Sequence, residues 1–177
     1  LHGLGGTPLR GIAKKRCLDW MLRRASQDGE ASTDGLGAIF PPMVYIQIAL
    51  HAMGWKRDHP VLERAEKDLD DFFVLQSDED GQYIMIQPCF SPVWDTGYAL
   101  YALADCDLRH GDECVDAAIA WLLNKECRFR GDWADSVEVT DDASGWYFEY
   151  HNAWYPDVDD TAQVAMALHR TQSSAGM

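Results

Sequence analysis

Asp157, Asp159 and Asp160 crowd the stretch Pro156-Asp157-Val158-Asp159-Asp160-Thr161-Ala162. Two kinds of chemistry suit such a cluster. Aspartate is a favoured helix N-cap, and acids in a first turn complement the helix dipole, so the cluster reads as a helix start. Crowded carboxylates also resist ionising together, so it equally reads as a tuned acid in which one group keeps its proton at neutral pH. A helix N-terminus would lower an aspartate pKa, whereas burial and like charge would raise it. The sequence leaves that balance open. Cation ligation fits less well. Counting from Asp157, Ala162 stands where an EF-hand needs glycine, and the loop around Asp78, Asp80 and Gly81 has Gln87 where the distal glutamate belongs. The Asp-Asp-x-x-Asp pattern that holds magnesium and a diphosphate is missing too, since Thr161, Ala162 and Gln163 follow Asp160.

The elements that must position these acids are helical. Six helix-like stretches of two alternating kinds run along the chain. Leu9 to Arg24, Val61 to Phe73 and Val115 to Cys127 are amphipathic, which predicts outer helices with one buried stripe. The stripes are Leu9, Ala13, Cys17 and Met21 in the first, Leu62, Ala65, Leu69 and Phe72 or Phe73 in the second, and Val115, Ala118, Ile119, Leu122 and Leu123 in the third. Met43 to Met53, Thr96 to Ala104 and Thr161 to Leu168 are apolar nearly all round, which predicts inner helices buried on most sides. Regular alternation points to an all-α fold, an α/α barrel or toroid whose inner helices line a cavity, with a plain helical bundle as the simpler alternative. A glycine turn follows each outer helix: Gln27-Asp28-Gly29, Asp80-Gly81-Gln82-Tyr83 and Gly131-Asp132-Trp133. Proline precedes each inner helix, at Pro41-Pro42, Pro92 and Pro156. If the inner helices run parallel, Ile39, Trp94, Asp95, Asp157, Asp159 and Asp160 converge on one mouth.

Composition narrows the function classes. The chain has 177 residues, 47% of them hydrophobic, enough for a real core in a single domain spanning residues 1–177. Residues 1–8 and 171–177 read as loose ends, and a start at Leu1 rather than Met suggests an internal piece of a longer protein. A formal net charge of -14 argues against nucleic acid as a partner. The five cysteines, Cys17, Cys89, Cys106, Cys114 and Cys127, are scattered and form no Cys-x-x-Cys pair, which favours a reducing compartment over a disulfide framework or a zinc site. No apolar run reaches transmembrane length, because Gln47 and His51 interrupt the best candidate.

Four ordered motifs carry a resemblance. Trp154-Tyr155-Pro156 leads into the Asp-x-Asp-Asp-Thr-Ala acid stretch, and Ser91-Pro92-Val93-Trp94-Asp95-Thr96-Gly97 lies upstream of it. Gly145-Trp146-Tyr147-Phe148-Glu149-Tyr150 and Ile39-Phe40-Pro41-Pro42 complete the set. With these motifs, over roughly Arg10 to Leu168, the chain resembles the squalene–hopene cyclases, a family of class II triterpene cyclases. The resemblance implies two α/α barrels, squalene or a related polyprene as substrate, and no cofactor or required metal. It also implies association of the full-length protein with a membrane, on its cytoplasmic face, since squalene is delivered from a bilayer.

Carried over by position, the resemblance makes Asp159 the general acid that protonates a terminal alkene. Asp157 and Asp160 would raise its acidity, and Asp95 would be a nearby supporting carboxylate. An unactivated alkene is a very poor base, so this acid must be strong and shielded from water. The tertiary cations that follow need stabilisation without a nucleophile, and aromatic faces give about 0.5–2 kcal/mol each by cation–π attraction. Trp94 and Phe148 match aromatic cavity positions and Ile39 a cavity-wall position; read without the resemblance, all three are ordinary core residues. Departures are also visible. Phe40 replaces a glutamine that orders a water near the final cation, which leaves deprotonation and water capture both open as the terminating step. Ala31 and Glu126 break the family's Gln-x-x-Asp-Gly-x-Trp turns, and Glu30 to Gly35 reads as a short insertion. The histidine that supports the acid lies further downstream in the family than His169 lies here, so the chain alone is expected to be inactive. A cyclase of another polyprene is the neighbouring reading. A non-catalytic α/α repeat module that binds protein or lipid is the alternative of a different class.

Overall fold

Proline opens four of the helices of this chain, two outer and two inner. A computed structural model describes residues 8–25, 32–35, 39–135, 138–140 and 142–172. Among them α1 spans Pro8–Arg24, α2 Phe40–Ala52, α3 Pro60–Asp70, α4 Pro92–Asp105, α5 Glu113–Asn124, the single turn α6 Asp132–Asp135, and α7 Val158–Arg170. In α2, α3 and α4 proline occupies the first or second helical position, where a missing N–H costs nothing. All six sequence-predicted helices are present, and their alternation is that of the α/α toroid class. The all-α expectation needs one correction. Phe73–Asp78 and Gly81–Ile86 form an antiparallel hairpin, β1–β2, registered Phe73 against Ile86 through Asp78 against Gly81. Glu79 and Asp80 make its tight loop, the Asp80 N–H bonds to Asp78 Oδ1 at 2.9 Å, and Gly81 takes φ +134°, a value that suits only glycine. The glycine turn at Asp80-Gly81 is therefore a hairpin turn. Phe73, assigned from sequence to a helical stripe, begins a strand instead.

The larger core lies between α4, α5 and α7. Val93 and Leu100, Val115 and Leu122, and Val164 and Ala167 are all fully buried there, joined by Cys127, Trp146, Tyr147 and Ala153. Each large aliphatic group so buried contributes about 1.5–3 kcal/mol. Helices α4 and α7 run parallel. Near their N-termini, a Cβ placed on Gly97 would sit 3.5 Å from Gln163 Cγ and 3.7 Å from Val164 Cγ2. Near their C-termini, Arg170 Nε bonds to Asp105 Oδ1 at 3.0 Å and the guanidinium covers the Tyr101 ring at 4.6 Å. A second, smaller core joins Ile46 and Leu50 of α2 to Leu62 of α3, with Leu18, Met21 and Ala25 of the α1 end against it. Gln47 Nε2 donates to Ala65 O across that pair at 2.9 Å.

Two stripe expectations change. Leu9, Ile12, Ala13 and Cys17 of α1 are exposed, and its packed residues are Leu18, Met21 and Arg24. The inner helices are not buried on most sides: Tyr45 and Ile48 of α2, Tyr98 of α4 and Met166 of α7 are all more than half exposed. Leu123 of α5 is likewise exposed.

The glycine turns differ in kind. Gln27-Asp28-Gly29 lies outside the described residues. Gly131 is buried with no positive φ; a Cβ there would come within 2.9 Å of Trp154 Cα and 3.0 Å of its carbonyl oxygen, so close approach of two backbones is what demands glycine. Beside it, the buried guanidinium of Arg24 bonds to both Asp132 carboxylate oxygens and to Tyr155 Oη, between the Trp20 and Trp154 rings at 4.0 and 4.4 Å. This clamp fastens the α1 end to the segment leading into the acid stretch. Thr171, assigned from sequence to a loose end, is fully buried: its hydroxyl bonds back to Ala167 O, and its carbonyl accepts the His110 N–H at 2.9 Å.

Candidate active site

Asp157 is the N-cap of α7. Its backbone is extended, its Oδ1 accepts the Asp160 N–H at 2.8 Å, and its carbonyl accepts the Thr161 N–H. The segment before it is pinned from three sides. Gly145 and Cys127 exchange a pair of backbone hydrogen bonds beyond the end of α5, and the Asp157 N–H donates to Trp146 O at 3.0 Å. The Trp146 N–H then donates to Thr161 Oγ1 at 3.0 Å, and its indole N–H to Leu122 O at 2.7 Å. A Cβ on Gly145 would stand 2.7 Å from that threonine hydroxyl, so glycine is required for the approach. On the remaining side, Thr33 pairs with Asn152, and Asp34 takes the His151 backbone N–H at 2.8 Å and its imidazole at 2.9 Å. Ser32 to Gly35, the described part of the apparent insertion, thus braces the loop that carries Phe148 and Glu149.

The helix-cap and tuned-acid readings fall to different residues. Asp157 caps. Asp160, one turn into the helix, is the buried acid, only 3% exposed. Burial pushes its carboxyl up to about 8, helped by a hydrogen bond to the Asp157 carboxyl and by the charges of Asp157, Glu149 and Asp159. Desolvation therefore outweighs the helix N-terminus here, the balance the sequence left open. Asp160 Oδ1 has no hydrogen-bond partner among the described residues. Asp159 is exposed. Asp95, on the first turn of α4, is also exposed and accepts from Ser91 Oγ at 2.9 Å.

Parallel packing of α4 and α7 places their N-termini side by side, as the convergence argument requires. The Trp94 ring lies 6.2 Å from the Phe148 ring and 4.9 Å from Tyr98, edge-on to the latter. Ile39 is 37% exposed and bridges Cys89, while the Phe40 N–H bonds to Pro88 O, so the start of α2 adjoins the approach to α4. Two residues of this region escaped the sequence reading. Tyr98 stands one helical turn beyond Trp94, a spacing that predicts a shared face. Glu149 lies next to Phe148 in a quoted motif, but only the folded loop buries it, to 5% exposure. Burial pushes its carboxyl up to about 7, with Asp34 and Asp157 adding to the rise and the hydrogen bond from Asn152 Nδ2, at 3.0 Å, opposing it.

Comparison with known proteins agrees with the motifs. The family model for the squalene-hopene cyclase N-terminal domain matches residues 2–78, and that for the C-terminal domain matches residues 90–176. The squalene–hopene cyclase of Bradyrhizobium diazoefficiens is 37% identical over 93% of the chain and 24% of its own length. That of Alicyclobacillus acidocaldarius is 37% identical over 96% of the chain and 26% of its own length. That of Schizosaccharomyces japonicus is 35% identical over 89% of the chain and 24% of its own length. The chain thus spans about a quarter of the length of these relatives. Its two domain matches, its relatives and its alternating helices together place it in the squalene–hopene cyclase family.

Proposed function

We propose that this chain carries the acid end of a class II triterpene cyclase, which protonates a terminal alkene of squalene or a related polyprene and drives its cationic ring closure. The observation that supports this best is the pairing of a buried, proton-holding carboxyl with an aromatic wall: Asp160 at the start of α7, and Trp94 with Phe148 beside the start of α4. In this reading the Asp159 carboxyl O–H gives its proton to the less substituted alkene carbon. The alkene π pair forms the new C–H bond, and a tertiary cation remains on the neighbouring carbon. Asp157 fixes the helix start and Asp160 retains a proton beside the donor, so Asp159 need not release into a fully ionised cluster. Trp94 and Phe148 present π faces to the travelling cation, each contributing about 0.5–2 kcal/mol. Ile39 adds apolar wall, and Asp95 is a supporting carboxylate. Proton loss to a base or capture of water closes the sequence.

The parent protein, assayed in detergent with squalene and analysed by gas chromatography–mass spectrometry, tests this beside an Asp159→Asn variant. Cyclised product from the parent, with at least a hundredfold less from the variant, is the expected result, general-acid groups contributing about 10²–10⁴-fold. Equal product from both removes Asp159 from the donor role. No product from a folded parent, with squalene or other polyprenes, removes the cyclase reading.

A further inference from the structure

The acid stretch is not the only source of carboxyl groups at this site. Glu149 lies outside it, on the loop between α6 and α7, yet it is as buried as Asp160. Its surroundings are acceptor-rich. Asn152, itself 7% exposed, spends its amide N–H on Glu149 Oε2, while Asn152 Oδ1 and Asp160 Oδ1 are both buried without a donor among the described residues. Buried acceptors left unpaired are costly, and the two here outnumber the one buried donor without a partner among the described residues, Gln163 Nε2 on α7. A neutral Glu149 brings one O–H into that cluster; an ionised Glu149 brings a further acceptor and a further negative charge. The titratable groups around it are Asp157 and Asp160 from the start of α7, Asp34 from the 32–35 segment, and Tyr147 on its own loop. Nearby, the His151 ring hydrogen-bonds to Asp34 and Lys125 Nζ donates to Tyr150 O.

We propose that Glu149 is a fourth carboxyl of the acid cluster, a positioning residue whose charge state governs how readily the cluster releases its proton. With Glu149 neutral, the cluster carries less negative charge and its proton is more acidic. Once Glu149 ionises, its charge holds the proton on Asp160 more tightly, and alkene protonation slows. The parent enzyme then loses rate with rising pH in two steps, the first from Glu149 and the second from the aspartates. Interacting groups of this kind titrate as a set, and removing one changes the step of the other.

This inference rests on the cyclase reading, so its test has an arm that does not need turnover. In full-length protein, Glu149→Gln keeps the shape and the Asn152 contact but never ionises. Its rate is read as a pH profile, each protein normalised to its own value below about pH 6, where the parent's Glu149 is neutral as well. The first step of the alkaline decline should vanish, leaving a single ionisation. Infrared titration of the protonated-carboxyl C=O stretch, with Asp160→Asn to assign the bands, should show one fewer buried carboxyl in Glu149→Gln. The Asp160 band should titrate about one pH unit lower in that variant. Glu149→Ser, smaller and also neutral, should move both readouts the same way and serves if the glutamine variant does not fold. An unchanged two-step decline, an unmoved Asp160 band, or a Glu149 carboxyl already ionised at pH 5 in the parent each overturns the proposal. A parent without cyclase activity overturns the function above, while the infrared arm still decides this point.

Discussion

The α4–α7 half of the chain and the half containing α1 and the hairpin dispose of apolar side chains in opposite ways. Around α4, α5 and α7 every helix contributes fully buried aliphatics, and the loop leading to Asp157 is fixed by paired backbone hydrogen bonds. In the hairpin, Leu75, Ile84, Met85 and Ile86 stand more than half exposed, as do Leu9 and Ile12 in the first half of α1. The difference shows where precision resides. The acid stretch starts on the half with the larger buried core, although Tyr98, Leu123 and Met166 there remain more than half exposed. The other half presents apolar surface that this chain does not itself cover.

The strongest test of that contrast is a core truncation. Leu100→Ala in the full-length protein should cost about 2–5 kcal/mol in urea unfolding, because Leu100 is fully buried against α5 and α7. A loss below 1 kcal/mol would mean the α4–α7 half is looser than its burial indicates.

A second test exploits the buried acids. The Glu149 carboxyl is raised from 4.5 to about 7 and that of Asp160 from 3.8 to about 8, both chiefly by burial. The folded state therefore binds more protons than the unfolded state across those windows, and the stability slope with pH is negative. The favourable contribution is complete below the unfolded values and gone above the folded ones. For Glu149 it is on the order of 3 kcal/mol, since each pKa unit is about 1.4 kcal/mol. Unfolding midpoints measured from pH 4 to pH 9 should show this fall, and Glu149→Gln should flatten it. Equal slopes in parent and variant would place the Glu149 proton in water and break the link between burial and the site.

The smallest effect belongs to the hairpin. Ile84→Ser should change the stability of the full-length protein by no more than about 0.5 kcal/mol, as exposed substitutions do. A loss of core size would show that the hairpin is packed in the whole protein, and would erase the contrast between the halves.

Much of the helix order was legible because local patterns demanded it. Proline at a first or second helical position and apolar residues at helical spacing act within a few residues of chain, and all six helices so read are present. The hairpin was missed because Phe73 to Leu75 and Tyr83 to Ile86 are short apolar runs without alternation, which periodicity alone does not resolve. Asp80-Gly81 between them is the local signal for a tight hairpin turn. The α1 stripe failed for another reason: Leu18, Met21 and Arg24 are selected by what α2, α3, Trp154 and Asp132 offer, and no local pattern encodes a partner over a hundred residues away.

The sequence by itself determined the family, the run of alternating helices, and the acids and aromatics that crowd the starts of α4 and α7, because residue type, order and spacing are properties of one dimension. Only the tertiary structure decided which of the acids is buried. Asp157, Asp159 and Asp160 are alike in sequence, but the helix start exposes the first two and turns the third into the core, and desolvation, not residue type, sets the proton affinity. It likewise buried Glu149, on a loop pinned to Cys127, Asp34 and Thr33. Burial is a property of three dimensions, and no run of residue types states it.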